Sequence, residues 1–156
     1  MAEVYPTDTI DFDRSVLGVD VEVGTHEVTK ENIIAYARAV GETNPLYLDE
    51  EAAKASPYGT IIAPPLFYNM MSLRPGLDPK VKFGTSGLYA GSHAEFLEPI
   101  RAGDTISAKT QVADVYAKTG RTGTMVFTVR RTTYTNQKGE KTIVEDHIMV
   151  RRDPRQ

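Results

Sequence analysis

This sequence predicts an α+β domain, with helical segments gathered in its first half and one antiparallel sheet built from its second. Three observations carry the prediction. Residues 19–28 (VDVEVGTHEV) alternate apolar and polar, the period-2 signature of a half-buried strand. From Thr29 to Leu73 the apolar residues instead recur at helical spacing or gather behind proline. From Leu88 onward, strand-like segments are separated by glycine-containing turns. A strand, then helices, then consecutive strands place the helices together on one sheet.

Each element has its own reason. Residues 1–18 are polar, with Pro6 and scattered aspartates, and predict an entry arm ahead of a domain over 19–152 and a short tail over 153–156. Thr29 offers a capping hydroxyl to a helix in which Ile33, Ile34, Ala37 and Val40 share a face, and Gly41 ends it. Asn44-Pro45 predicts a turn. Residues 49–55 (DEEAAKA) predict a short helix with its acids in the first turn, where the helix dipole favours them. Ser56-Pro57-Tyr58-Gly59 breaks it. Pro64-Pro65 then opens LFYNMMSL, because a proline at the first helical position loses an N–H that bonds nothing there. That run is apolar on nearly every side, which predicts a short helix buried all round, with Met70 and Met71 as adaptable filler. Pro75-Gly76 stops it. Strands are predicted over 88–96, 105–118, 124–135 and 142–151, with hairpin turns at Thr119-Gly120-Arg121-Thr122-Gly123 and over 136–139.

Composition removes whole classes of function. With 40% hydrophobic and 25% charged residues, the 156-residue chain is neither disordered nor fibrous. A net charge of −3 argues against nucleic acid as a partner. No apolar run nears the roughly 20 residues that span a bilayer, and the polar start lacks a signal-peptide core, so no membrane contact and a cytoplasmic location are expected. Cysteine is absent, which removes disulfides, thiolate metal sites and cysteine nucleophiles. His26, His93 and His147 stand far apart with no metal-ligand spacing, so neither metal nor cofactor is expected.

Two stretches carry a family resemblance. YARAVGETNPLYLDEEAAKASPYGTIIAPPLF, with the later SHAEFLEPIRAGDTI, resembles the MaoC-like dehydratase family. Within it, the similarity is to the N-terminal, FAS1-type dehydratase domain and to the accessory subunits of mycolic-acid-elongation (3R)-hydroxyacyl-ACP dehydratases, and it runs from about Val19 to Arg151. The resemblance implies a single hotdog fold, an antiparallel sheet wrapped around a buried central helix. It also implies (R)-3-hydroxyacyl-thioester dehydration, or the reverse hydration, on acyl-CoA or acyl-ACP. A lone hotdog leaves a sheet edge and an apolar face uncovered, so the expected partner is a second hotdog, in a homodimer or in a heterodimer with a catalytic subunit.

The chemistry of that reaction sets requirements. A carboxylate and a histidine hold the water and move its protons. The thioester carbonyl becomes enolate-like, so an N–H at the start of the central helix should face it. The resemblance places these groups in Asp-x-Asn-Pro-x-His and in a His-Gly pair opening the helix. Here the matching positions read Glu42-Thr43-Asn44-Pro45-Leu46-Tyr47 and Pro64-Pro65. Glu42 keeps a carboxylate one methylene further out, on the scale of displacement that costs about 10²-fold in positioned catalysis. Tyr47 brings a phenol of ordinary pKa about 10, a poor base at neutral pH. Pro65 has no N–H to give, and one such donor is commonly worth about 3 kcal/mol. Glu42, Asn44 and Tyr47 are therefore degenerate catalytic positions, and the chain reads as the acyl-binding, non-catalytic half of a pair.

Other readings remain open from sequence. An active homodimer would use Glu42 as base and Tyr47 as donor. A hotdog thioesterase would need an acid on the central helix, which PLFYNMMSL lacks. A ligand-binding protein needs neither. In each case the resemblance implies that the acyl group lies beside the helix, lined by Tyr58, Gly59, Ile61, Ile62, Pro65, Leu66, Tyr68, Asn69 and Met70. His93 reads as an exposed or pairing strand position and Asp104 as a turn before a strand. Arg121, Arg151, Arg152 and Arg155 could meet a coenzyme A phosphate, or simply be solvated.

Overall fold

The computed structural model describes residues 3–5 and 10–153. Of the tail over 153–156, only residue 153 is therefore described, and Arg155 lies outside. The strands are β1 (Glu3–Tyr5), β2 (Val21–Glu27), β3 (Ser86–Phe96), β4 (Thr105–Gly120), β5 (Gly123–Thr135) and β6 (Lys141–Arg152). They form one sheet in the order β1-β4-β5-β6-β3, with β2 also on β4, and every pairing is antiparallel. The four long strands fall within two residues of the ends their alternation predicts. The β4–β5 hairpin closes where Gly120 pairs with Gly123, leaving Arg121 and Thr122 as its two-residue loop.

One face of the sheet is packed. Ile106, Ala108, Thr110 and Val112 of β4 point inward at alternate positions. A bulge between Val112 and Asp114 then shifts the phase by one, so Val115 and Ala117 point the same way. Val23, Ile106, Ala108, Tyr134 and Ile143 meet Ile33, Ala53, Phe67, Tyr68 and Met71 of the helical region in the main core. A second cluster joins Val112, Val115, Ala117 and Val126 to Ile10, Phe12, Val16 and Val81. From Ile10 onward, then, the entry arm is part of the core, because its few apolar residues cover the far end of the sheet.

The helical region holds α1 (Lys30–Ala39), α2 (Pro45–Leu48) and α3 (Glu50–Ala55). The Thr29 side chain accepts from Asn32 N at 3.2 Å, capping α1 as expected. At its other end Gly41 takes φ +78°, which lets the N–H groups of Gly41 and Glu42 donate to the carbonyls of Arg38 and Ala37. Asn44-Pro45 differs from the expected turn. Asn44 is the N-cap of α2, accepting from Leu46 N at 3.0 Å, with Pro45 in the first helical position. Asp49 caps α3 in the same way.

The apolar run after Pro64 differs more. It forms a six-residue 3-10 helix, Pro65–Met70, in which Phe67 and Tyr68 are buried while Leu66 and Met70 are 53% and 59% exposed. Phe67 and Tyr68 are adjacent in sequence and turn inward together, leaving Leu66, Asn69 and Met70 outside. The chain then crosses the inner face as a strap. Gly76 sits against Thr110 and Arg130 where a Cβ would collide with both. Arg130 donates to the Leu77 carbonyl at 3.0 Å, and Arg151 to that of Val81 at 2.7 Å. Among the described residues no helix is long and apolar enough to cross a membrane.

Candidate active site

The start of the 3-10 helix borders a cleft of about 160 Å³, lined by Tyr47, Ile62, Pro64, Pro65, Phe96 and Ile143 among others. Three connections bring these residues together. The Ile62 N–H donates to the Leu46 carbonyl, next to Tyr47. Ala63 N–H donates to Ile100, and Ile62 pairs with Arg101, tying the segment to the loop after β3. Pro64 precedes the helix with no side-chain cap, and Pro65 takes its first position. The two positions that the resemblance makes a histidine and a glycine are thus neighbours in space, but they hold a phenol and an amide without hydrogen.

Glu42 and Asn44 are not among the residues lining this cleft. Glu42 is half-buried, and its side chain has no hydrogen bond or ion pair among the described residues. Its backbone ends α1, and the Asn44 side chain is occupied in capping α2. Glu42 is placed by the end of α1 and Asn44 by the start of α2, which explains why a motif of this spacing also reads as ordinary turn chemistry.

The expected acyl-binding residues divide around the 3-10 helix. Ile62 and Pro65 face the cleft. Ile61 is 1% exposed and belongs to the main core. Met70 faces the other way, into an apolar groove of about 450 Å³ with His26, Tyr36, Val40 and Phe67. Tyr68 turns toward the sheet, where its hydroxyl donates to Glu145 Oε1 at 3.3 Å and its ring meets those of Tyr134 and Phe96. Burial, then the Glu145 charge, pushes the Tyr68 phenol up to about 12, so it stays a neutral donor. Burial and Glu145 raise Tyr134 as well. Tyr58, Gly59, Leu66 and Asn69 are exposed.

Glu145 and Tyr134 were not legible as site residues. Both alternating phases of β6 carry apolar side chains, so its sequence alone does not say that Glu145 points inward with Ile143. The other candidates have structural partners. Asp104 is 7% exposed and accepts from Arg101 N at 2.8 Å and from Gln137 Nε2 at 2.9 Å, locking the turn before β4. His93 is exposed and pairs across strands with Asp146, which the Arg131 guanidinium holds at 2.7 Å. His147 packs on Tyr89, and His26 meets Phe67 edge-on. Among the described residues, no group of three or more His, Asp or Glu is placed to hold a metal ion.

Comparison with known proteins agrees with this layout. The family model described as the FAS1-like dehydratase domain region matches residues 15–145. A UPF0336 protein from Saccharopolyspora erythraea is 31% identical over 148 residues, covering 90% of this chain and 92% of that one. A 3-hydroxybutyryl-CoA dehydratase from Methylorubrum extorquens is 32% identical over 101 residues, 62% of this chain and 63% of its own. A chain of the ChsH1-ChsH2 complex from Mycobacterium tuberculosis superposes with a TM-score of 0.72 at 19% identity, over 86% of this chain and 89% of that chain. The sheet with its short covering helix is a hotdog, and the chain belongs to the FAS1-like dehydratase region of the MaoC-like hydratase and dehydratase family.

Proposed function

We propose that this chain is the acyl-chain-binding, non-catalytic subunit of a cytoplasmic (R)-specific hydratase or dehydratase, paired with a second hotdog that carries the reacting groups. The observation that carries the proposal is Pro65. Hydration of an enoyl thioester adds water across the double bond next to the carbonyl, and negative charge gathers on the thioester oxygen. The donor for that oxygen belongs at the start of the central helix, and here that residue has no N–H. Tyr47, beside it in the cleft, brings a phenol where the motif has an imidazole, and Glu42 does not line the cleft. Water activation and oxyanion stabilisation therefore fall to the partner, which supplies an Asp-x-Asn-Pro-x-His segment and a glycine N–H.

What this chain contributes is surface. Its 3-10 helix is a single short element, and the strap after it turns away, Arg74 N–H donating to Val23 on β2. The inner face of β6 and β3 is left uncovered, with Phe96 and Tyr89 48% and 60% exposed. An acyl chain entering by the cleft beside Ile62 and Pro65 runs over this face past Tyr68. β3 is also the free edge of the sheet and carries Leu88 exposed, which supports pairing with a second hotdog, this chain or a catalytic relative. The relatives named for action on acyl-CoA support a coenzyme A or carrier-protein thioester as the substrate class.

The test is hydration of crotonyl-CoA by the purified chain alone and after mixing with a hotdog that carries the complete motif. Alone, turnover is negligible against the ordinary enzyme scale of about 10 s⁻¹; with the partner it rises. Substantial turnover by the chain alone, abolished by Glu42→Ala, overturns the proposal in favour of an active homodimer.

A further inference from the structure

We infer that Glu145, with the hydroxyls of Tyr68 and Tyr134, forms a hydrogen-bonding station on the acyl path that selects a hydroxyl-bearing acyl group over a plain alkyl chain. The inference rests on the acyl-binding reading above and deepens it.

The register of β6 sets the placement. Tyr134 lies opposite Ile143, Thr132 opposite Glu145, and Ala94 of β3 on the other side of Glu145, which puts the carboxylate on the inner face between the 3-10 helix and the free edge. Glu145 is 9% exposed, Tyr68 and Tyr134 3% each. One carboxylate oxygen accepts from Tyr68. The other has no hydrogen-bond partner among the described residues, and neither does the Tyr134 hydroxyl. Neither atom is among the sealed, unpartnered polar atoms, which are His26 Nε2, Arg130 Nη1 and Arg151 Nε. No cation is paired with Glu145 among the described residues, and Arg130, two positions before Thr132 on β5, donates to the Leu77 carbonyl. A nine-tenths buried carboxylate thus keeps an acceptor unspent beside Phe96, Ile143 and the two Tyr rings, on a face that also carries Thr132, His147 and Ser92.

An alkyl chain laid over that oxygen strips its water and returns nothing. A ligand hydroxyl donates to Glu145 and accepts from Tyr134. Sites built to bond a hydroxyl reject the analogue lacking it far more strongly than apolar pockets discriminate by size. Tyr68 lies one 3-10 turn, about 6 Å, past Pro65 and the cleft by which the acyl chain enters, while the reacting carbons lie with the partner's groups, so the selected hydroxyl is distinct from the one eliminated at C3.

The experiment is calorimetric titration of the wild-type chain with coenzyme A thioesters of ω-hydroxy acids from butanoyl to dodecanoyl, each beside its plain acyl counterpart. The hydroxy ligand binds at least about tenfold tighter at one intermediate length, the mark of a fixed station. Glu145→Leu abolishes that preference and binds the plain chain at least as well, while Glu145→Gln, which keeps an acceptor, retains part of it. No preference at any length, or one unchanged in Glu145→Leu, overturns the inference and leaves acyl binding standing. Failure of every thioester to bind overturns the inference and the proposed function together.

Discussion

Strands β4 and β3 lie in the same sheet and answer different questions. β4 has neighbours on both sides and buries Ile106, Ala108, Val112, Val115 and Ala117 under the helices, the strap and the arm. β3 has one neighbour, buries none of its eleven residues, and shows large apolar side chains on both faces. Neither is poor in apolar residues; what separates them is what covers them. The centre holds this chain together, and the edge is where it is incomplete. An exposed apolar edge invites further pairing unless charge, proline or cover blocks it.

The core and the edge should respond differently to substitution. The largest effect belongs to Phe67, 1% exposed and wedged between Tyr36 and His26. Phe67→Ala leaves a cavity and should lower the unfolding free energy by about 3–5 kcal/mol, read from denaturant titration. Next comes the edge. The wild-type chain should sediment at micromolar concentration as a dimer, with itself or with a catalytic hotdog, and the double variant Leu88→Lys, Tyr89→Lys should weaken that association by about 100-fold or more while its far-UV spectrum stays unchanged. Those two exposed side chains each stand to bury surface worth about 1.5–3 kcal/mol. A wild-type chain that stays monomeric both alone and beside a catalytic hotdog would remove the reason for calling β3 incomplete.

Smaller effects sharpen the picture. Asp104→Ala strips an acceptor from the Arg101 N–H and from Gln137 at the mouth of β4, and should cost about 1–3 kcal/mol. Asp146 on the outer face is the mildest. Its bonds to Arg131 hold its pKa below the ordinary 3.8, so the unfolded chain takes up the proton first. The increment is therefore complete above the ordinary value and is lost as pH falls through the lowered one. Against Asp146→Asn, wild type should be about 0.2–1 kcal/mol more stable at pH 7, with the gap closing in acid.

The features legible along the chain follow from local rules. The long strands were legible because side-chain alternation and glycine turns are properties of neighbouring residues, and the cap at Thr29 because a hydroxyl reaches an N–H three positions on. The missing donor at Pro65 was legible for the same reason: no packing can restore a hydrogen that the residue does not carry. Packing decided the rest. Whether Glu145 or Asp146 faces inward depends on the register of β6 against β5, because both phases of that strand carry apolar neighbours. That the arm joins the core through Ile10, Phe12 and Val16 depends on an uncovered sheet end far along the chain. That LFYNM winds as a short 3-10 helix with Leu66 and Met70 outward goes with the strap turning away to Val23, a contact between residues distant in sequence that no local pattern encodes.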